Sequence, residues 1–372
     1  MIFMFVISFV IFAYEILSLV LPLRISGFWK VIFALVLLVA SMKNYLFQKF
    51  GGGMFFAPDL PREAVLVGSV LYNFLIVALF LLIAKDLLLL VWKILGWKFP
   101  VNAASLIVCV LAVLLTCYGT YEAVRVPDVE THEIALKNLP EEFDGFKFAM
   151  LVDLHASSLN RRDLIEAIVT KTNDLQPDIV LIPGDFVDGL VSQRRQDLQP
   201  LENLRAKFGV LGTTGNHEYY SGCSEWLREL QSFGVKFLDN QVEILSSADA
   251  NLVIAGVPDK QGIAFGFAAP DINHTLENIP EDSCVILMDH RPENALENSR
   301  AGVDLQISGH THGGMMPGLA QIVAMFNSGF VKGWYDVGEM KLYVSKGTSL
   351  WNGFPVRILD PAEITLFILR KI

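Results

Sequence analysis

Five short segments of the chain carry the side-chain types that bind divalent metal ions. They are DLH (153–155), GD (184–185), GNHE (215–218), DH (289–290) and GHTH (309–312), and they hold five of the seven histidines. Imidazole nitrogens with carboxylate and amide oxygens suit borderline or hard ions such as manganese, iron or zinc. Structural zinc sites usually recruit cysteine, which these segments lack. We therefore expect a reactive metal site.

The elements that must position these residues are short buried strands. Apolar runs typical of such strands cover 146–153, 178–185, 252–259, 284–290, 305–312 and 341–347, and an amphipathic helix is predicted over 160–175. Strands that alternate with helices predict a helix-covered sheet, whose ligands lie beyond the carboxyl ends of the strands. We therefore expect the polar residues at the ends of these runs to converge on one edge, namely Asp153, Asp185, His290, His310 and His312.

Charge and motif content exclude two classes of ligand. The chain carries a formal net charge of −10, and its acidic excess lies after residue 122. An acidic domain is a poor partner for the nucleic-acid backbone, so we expect no nucleic acid as a partner. No GxGxxG or GxxxxGK[ST] motif is present, which leaves dinucleotide and P-loop nucleotide sites without support.

The N-terminal third of the chain is apolar enough to cross a membrane repeatedly. We predict a transmembrane region at 1–122, a linker and domain entry at 123–145 and a catalytic domain at 146–372. About four helices are expected, at 2–23, 28–47, 64–84 and 103–122, and the alternative for the third is an extension through 86–95. Five basic residues in loops 24–30 and 85–100, against three in 43–62, predict an extracytoplasmic catalytic domain.

The ordered set DLH, GD, GNHE, H and GHTHGG resembles the calcineurin-like metallophosphoesterase superfamily over about residues 146–372. GNHEYYSG (215–222) and the closing YVSKG and PVRILDPAEITL (343–366) resemble its bacterial membrane-bound branch, which has a multispan N-terminus. The resemblance implies an α/β fold, a four-layer αββα sandwich, preceded here by an α-helical transmembrane bundle. It also implies two divalent metal ions and a bacterial cell membrane.

The family pattern, transferred to matching positions, implies a role for each site residue. It assigns Asp153, His155, Asp185 and His312 to one ion, and Asp185, Asn216, His290 and His310 to the other. It assigns His217 to the substrate or leaving group. We expect Glu218 to orient His217, whereas Arg291 is either a phosphate contact or a solvated surface charge. The chain departs from the family at Val152, where serine is frequent, and at Met315, where glutamine is frequent.

Two metal ions about 3.5–4 Å apart can share a hydroxide and clamp phosphoryl oxygens for in-line attack. We therefore expect a membrane-anchored hydrolase of phosphodiester or pyrophosphate bonds, with Asp185 and His217 as catalytic residues. Tethering at a bilayer favours a lipid-linked phosphoester as substrate. The alternatives are a non-catalytic metal-binding scaffold, a phosphatase of soluble substrates that its spans only localise, and a transporter with an enzymatic appendage.

Overall fold

The computed structural model describes residues 2–52, 54–248 and 250–372. The chain forms two compact units, one comprising Met1–Ala123 with Asn352–Ile358 and the other Val124–Trp351 with Leu359–Ile372. We call the first the helical unit and the second the catalytic unit. The division after Ala123 is close to the predicted end of the transmembrane region. The domain limits and the number of spans stay predictions.

The helical unit is built from five helices. They are α1 (Ile2–Glu15), α2 (Gly27–Ser41), α3 (Lys43–Phe50), α4 (Arg62–Ile94) and α5 (Val101–Val124), and a π-helical turn (Ile16–Val20) extends α1. In the described part of the chain, α4 and α5 are each long and apolar enough to cross a membrane. Helices α2 and α3 meet that standard only as a pair bent by 54°, and Val6–Val20 forms a shorter apolar helix.

Helix α4 continues ten residues beyond the predicted end of the third apolar run, past two charged residues. The ammonium group of Lys85 donates to the hydroxyl oxygen of Ser18 at 2.8 Å. The carboxylate of Asp86 accepts hydrogen bonds from Tyr14 at 2.7 Å and from Ser18 at 2.6 Å. Because these polar groups of the first helical segment satisfy both charges, the helix does not have to end at Lys85.

A segment distant in sequence completes the helical unit. Lys43 is buried, and its Nζ donates to the carbonyl oxygens of Asn352 at 2.8 Å and Gly353 at 2.9 Å. Asn73 Nδ2 donates to the carbonyl oxygen of Pro355 at 2.7 Å. Backbone carbonyls of Asn352–Ile358 therefore satisfy donors that the helices would otherwise bury unpaired.

The catalytic unit contains two six-stranded mixed sheets. The strands are β1 (Asp128–Leu136), β2 (Lys147–Met150), β3 (Ile179–Pro183), β4 (Val210–Thr213), β5 (Val235–Phe237), β6 (Gln241–Ser247), β7 (Ala250–Gly256), β8 (Cys284–Met288), β9 (Leu305–Ser308), β10 (Gly333–Val337), β11 (Met340–Val344) and β12 (Glu363–Lys371). The first sheet has the order β1-β12-β2-β3-β4-β5, and the second has the order β10-β11-β9-β8-β7-β6.

Helices pack on the outer faces of both sheets. They are α6 (Arg162–Asp174), α7 (Val191–Leu198) and α9 (Cys223–Ser232) on the first sheet, and α10 (Ile272–Leu276) and α11 (Ala295–Arg300) on the second. Two further helices are α8 (Asn216–Tyr220) and α12 (Leu319–Phe326), and α12 has no buried residue. Side chains alternate along each strand, so Phe148 and Met150 join the core between the sheets. Ala149 packs instead in the core shared with α6, α7 and α9. The predicted four-layer αββα sandwich is confirmed.

All six predicted strands of the catalytic unit are present, but they end earlier than the apolar runs do. The predicted helix 160–175 is α6, Arg162–Asp174. Strands β2, β3 and β4 are parallel, as are β7, β8 and β9, so each sheet gathers several carboxyl ends at one edge. Cys223 and Cys284 are buried free thiols, so no disulfide joins them within the described residues.

Candidate metal centre

The metal-binding residue types lie in tight loops, two to five residues beyond the strand ends. Five of these residues have a left-handed backbone, namely Asp153 (φ 56°), His155 (φ 42°), Asp185 (φ 55°), His310 (φ 69°) and His312 (φ 49°). This conformation costs a residue with a β-carbon roughly 1–2 kcal/mol. Such strain is concentrated at functional sites, where the surrounding structure enforces it. The loops are therefore shaped to aim side chains and not to optimise local stability.

The first group of ligand atoms joins the two sheets. Asp153, His155 and His312 are buried, and each offers a ligand atom within 4.8 Å of the others. The Nε2 atoms of His155 and His312 are 3.3 Å apart. The carboxylate of Asp153 also accepts from the backbone N–H of His310, at 3.1 and 3.2 Å from its two oxygens. A cation can therefore sit where the ends of β2 and β9 meet.

The second group comprises Asp185, His290 and His310, again with ligand atoms within 4.8 Å of one another. His290 Nδ1 donates to the carbonyl oxygen of Pro183 at 2.9 Å. A neutral ring then has only a lone pair on Nε2, and this atom faces the Asp185 carboxylate at 3.2 Å. The donor set fits a divalent cation, because two acceptors at this distance require a positive charge.

The pKa of His290 reflects the same arrangement. Burial by itself would lower that pKa, but the carboxylates of Asp185 and Asp153 raise it to about 10. Asn216, at the start of α8, has a buried Oδ1 without a hydrogen-bond partner among the described residues. An amide oxygen of this kind is a suitable ligand for the ion that the pattern assigns to it.

Asp185 belongs to the second group, and a third group links it to His155 of the first group and to His217. Six of the seven predicted ligands therefore occur in these groups, and Asn216 lies in the neighbouring loop. The third group makes His217 geometrically suited to a metal as well as to a substrate. Its assignment to the substrate stays a prediction.

Asp188 is a buried site residue that the sequence reasoning missed. Its Oδ1 atom accepts from Nδ1 of His155 at 3.1 Å and from Nδ1 of His217 at 2.5 Å. Both rings are thereby oriented with Nε2 directed away from Asp188. The available signal was the second acid of GDFVD (184–188), three residues after Asp185.

The pKa values of this pair follow from their contact. Burial raises the pKa of Asp188, but the charges of His155 and His217 outweigh it and lower the value to about 2. Burial lowers the pKa of His217, but the carboxylates of Asp185 and Asp188 raise it to about 9. His217 is therefore cationic at neutral pH in the metal-free protein.

Glu218 has a different contact from the expected one with the His217 ring. Its carboxylate accepts from the backbone N–H groups of Asp185 at 3.0 Å, Phe186 at 2.8 Å and Gly215 at 2.7 Å. The carboxylate that accepts from His217 Nδ1 is Asp188. Glu218 thus ties the loop after β3 to the loop after β4, because its carboxylate accepts hydrogen bonds from both.

Glycines allow the loops to approach one another, as the motifs predict. A β-carbon on Gly215 would lie 2.1 Å from Asp185 Oδ1, and one on Gly309 would lie 2.8 Å from Asp153 Oδ2. A β-carbon on Gly347 would lie 3.0 Å from Asp153 Oδ2. Larger residues at these positions would displace the carboxylates themselves.

Arg291 lies beside the second group. Its Nε donates to the buried carboxylate of Asp259 at 2.6 Å, and its Nη1 is 3.2 Å from His310 Nε2. The side chain is only 16% exposed, so it is not the solvated surface charge considered as one alternative. Two aromatic rings lie near His217: the ring centroids of Tyr220 and Trp351 are 5.5 and 6.1 Å from that of His217.

Known proteins share this arrangement in sequence. A model of the calcineurin-like phosphoesterase family matches residues 146–314. A metallophosphoesterase of Campylobacter jejuni is 34% identical over 263 residues, which cover 70% of this chain and 68% of the relative. A metallophosphoesterase of Bacillus subtilis is 31% identical over 269 residues, which cover 69% of this chain and 92% of the relative.

A transmembrane protein with a metallophosphoesterase domain from Danio rerio is 30% identical over 276 residues. The match covers 72% of this chain but 63% of that relative, which is less than two thirds of its length. The family model spans the residues that carry the ligand groups. The chain belongs to the calcineurin-like phosphoesterase family and is a metallophosphoesterase, a hydrolase of phosphoester bonds.

Proposed function

We propose that the protein is an integral membrane enzyme that hydrolyses a phosphodiester or pyrophosphate bond in a lipid-linked substrate. The observation that carries the two-metal mechanism is the position of Asp185 between the two groups: it belongs to the second, and its Oδ2 lies 3.6 Å from Nε2 of His155 in the first. We propose manganese, iron or zinc as the ions, because the donors are nitrogen and oxygen. The proposed ligands are Asp153, His155, Asp185 and His312 for one ion, and Asp185, Asn216, His290 and His310 for the other.

The side chains of the site divide the work of the reaction. When bound, the two ions would supply an activated water nucleophile and neutralise charge on the phosphoryl oxygens. His217 would donate a proton from Nε2 to the departing oxygen, since Asp188 holds its Nδ1 and the Asp185 and Asp188 carboxylates raise the pKa of the ring. Arg291, held by Asp259, would donate to a phosphoryl oxygen of the substrate.

Membrane anchorage is supported by helices α4 and α5, which are long and apolar enough to span a bilayer. An enzyme tethered at the bilayer encounters lipid headgroups at high local concentration, which favours a lipid-linked phosphoester. We place the enzyme in a bacterial cell membrane with the catalytic unit on the extracytoplasmic side. The basis for that side is the excess of basic residues over 24–30 and 85–100, of which 27–30 belong to α2 and 85–94 to α4.

The first test is turnover of bis-p-nitrophenyl phosphate by the detergent-solubilised chain with added manganese. We expect metal-dependent turnover that Asp185→Asn abolishes and that Asp163→Asn, a change at an exposed position of α6, leaves intact. Absence of metal-dependent turnover on any phosphoester would favour the non-catalytic scaffold.

The second test is a screen for headgroup release from extracted membrane lipids. Release of a phosphorylated headgroup by wild-type protein, but not by Asp185→Asn, supports the lipid-linked substrate. Turnover confined to soluble phosphoesters would instead favour a phosphatase that its helices only localise. The extracytoplasmic location is tested with Asp163→Cys, a change at an exposed position. The introduced cysteine is labelled in intact cells with a reagent that does not cross the membrane.

A further inference from the structure

Helix α12 (Leu319–Phe326) presents an unusual surface. Seven of its eight residues are apolar, yet among these eight described residues none is buried. Ile322 is 45% exposed, Met325 79% and Phe326 76%. Because residues three and four apart share a helix face, these three side chains form one continuous exposed surface. We call Ile322, Met325 and Phe326 the α12 face.

The position of α12 links this face to the metal centre. The helix begins seven residues after His312, and the two are joined by the glycine-rich end of GHTHGG. A β-carbon on Gly314 would lie 2.4 Å from Cα of Ala320, so the loop and the first turn of α12 are in direct contact. A surface bound by the α12 face would therefore lie next to the loop that carries His310 and His312.

We propose that the α12 face inserts into the lipid surface of the membrane in which the chain is anchored. The inference rests on the proposed membrane anchorage, but it does not require a particular substrate. A bilayer is the apolar phase that an anchored chain always has within reach. Helices that lie in the membrane interface carry large aliphatic and aromatic side chains on one face, as α12 does.

Size and charge favour lipid over a protein partner. Stable protein interfaces bury on the order of 800 Å² per partner, which is far more than three side chains on a two-turn helix provide. No Asp, Glu, Lys or Arg occurs within Leu319–Phe326. Insertion of the α12 face into the headgroup region therefore buries no charge of this helix. Contact with lipid also explains why an apolar patch lies on the surface.

The test measures the depth of nitroxide labels in the full chain reconstituted in lipid nanodiscs. Cys109→Ser and Cys117→Ser remove the two thiols that are not buried. Labels are then placed singly at Met325→Cys, at Gln231→Cys on the exposed surface of α9, and at Leu111→Cys in the middle of α5. Collision rates with oxygen, which is enriched in lipid, and with a water-soluble nickel chelate give a ratio for each label.

We expect the oxygen-to-nickel ratio at position 325 to exceed that at 231 by at least about threefold, as for a side chain within the interface. A ratio at 325 equal to that at 231, with a high ratio at 111, overturns the inference and leaves the anchorage intact. A ratio at 111 as low as that at 231 overturns the anchorage and the inference together. Spin–spin broadening at 325 identifies a second copy as the occupant and also overturns it.

A second variant separates docking from misfolding. Ile322→Gln combined with Phe326→Gln removes most of the apolar surface around the label at 325. We expect the ratio at 325 to fall to the value at 231, while turnover of soluble bis-p-nitrophenyl phosphate stays at the level of the parent protein. An unchanged ratio with preserved turnover contradicts insertion of the α12 face.

Discussion

The Nε2 atom of His290 lies 3.2 Å from Oδ2 of Asp185, and in the metal-free protein a proton must separate them. The other ring nitrogen already donates to the carbonyl oxygen of Pro183. A proton on Nε2 is therefore a second proton on the ring, and the carboxylates of Asp185 and Asp153 favour it by raising the pKa of His290 to about 10. His290 and Asp185 would hold a metal ion through the same two atoms, and the ion would then take the place of that proton.

Metal binding should accordingly release protons at neutral pH. Below its pKa, His290 must lose a proton before it can bind an ion, so apparent affinity rises with pH and levels off near pH 10. One displaced proton changes the affinity by about tenfold per pH unit. Calorimetric titration with manganese in buffers of different ionisation enthalpy measures the number of protons released. His290→Asn should release fewer protons than wild type, and equal release from both proteins contradicts this account.

Asp188→Asn should impair both metal binding and turnover. The carboxylate accepts from two ring N–H groups, and the amide that replaces it carries less charge and brings a competing donor. Loss of a partner that orients metal-binding histidines typically costs about 10–100-fold in affinity or activity. Manganese affinity and kcat for bis-p-nitrophenyl phosphate measure the two effects.

The control for this change is Asp163→Asn, which neutralises an exposed carboxylate on α6. It should leave both parameters unchanged. The pH profile adds a second criterion, because Asp185 and Asp188 together raise the pKa of His217 to about 9. If His217 is the proton donor, the lower pKa of its ring in Asp188→Asn should shift the alkaline limb of the pH profile of kcat towards lower pH. A kcat profile identical to wild type argues against that role.

Much of the catalytic unit could be predicted because its strands are short, apolar and buried on both faces. Polar residues that interrupt such runs must lie where the sheet ends. This reasoning correctly placed Asp153, Asp185 and His290 at the ends of strands. The apolar runs, however, extend past the strands. A residue with a left-handed backbone, such as Asp185, lies within a predicted run but cannot continue the β-strand. Backbone conformation of this kind depends on contacts with the opposing loop.

The remaining site residues depend on contacts between distant segments. Asp188 was missed because its importance lies in two histidines, 33 residues before it and 29 after it in the chain. Glu218 was paired with the adjacent His217, whereas its carboxylate reaches the backbone of the preceding strand loop. The parallel pairing of β1 with β12 joins opposite ends of the domain, and local periodicity contains no information about it.

Gly215→Ala should disrupt the centre without touching a ligand side chain. The added β-carbon would lie 2.1 Å from Asp185 Oδ1, so the carboxylate or the loop must move. Overpacking of this kind costs about 1–3 kcal/mol of stability, and here the strain falls on Asp185, the residue that we propose as the ligand shared by the two ions. We expect reduced bound manganese by elemental analysis and a lower Tm. Gly27→Ala, where a β-carbon meets no atom within 4 Å, should change neither. Full metal content in Gly215→Ala would falsify the close approach.

Arg291 and Asp259 should behave as one functional unit. The guanidinium contacts His310 and is fixed by the Asp259 carboxylate, so its remaining donors can face a phosphoryl group. Removal of a donor directed at developing charge costs about 10²-fold in rate, and Arg291→Ala should lose that much in kcat/KM. Arg291→Lys keeps the charge without the forked geometry and should recover only part of the loss. Asp259→Asn should lower kcat/KM in the presence of Arg291 but have little further effect in Arg291→Ala. Kinetics of the two single variants and the double variant measure this coupling, and additive losses would mean that Asp259 acts independently of the arginine.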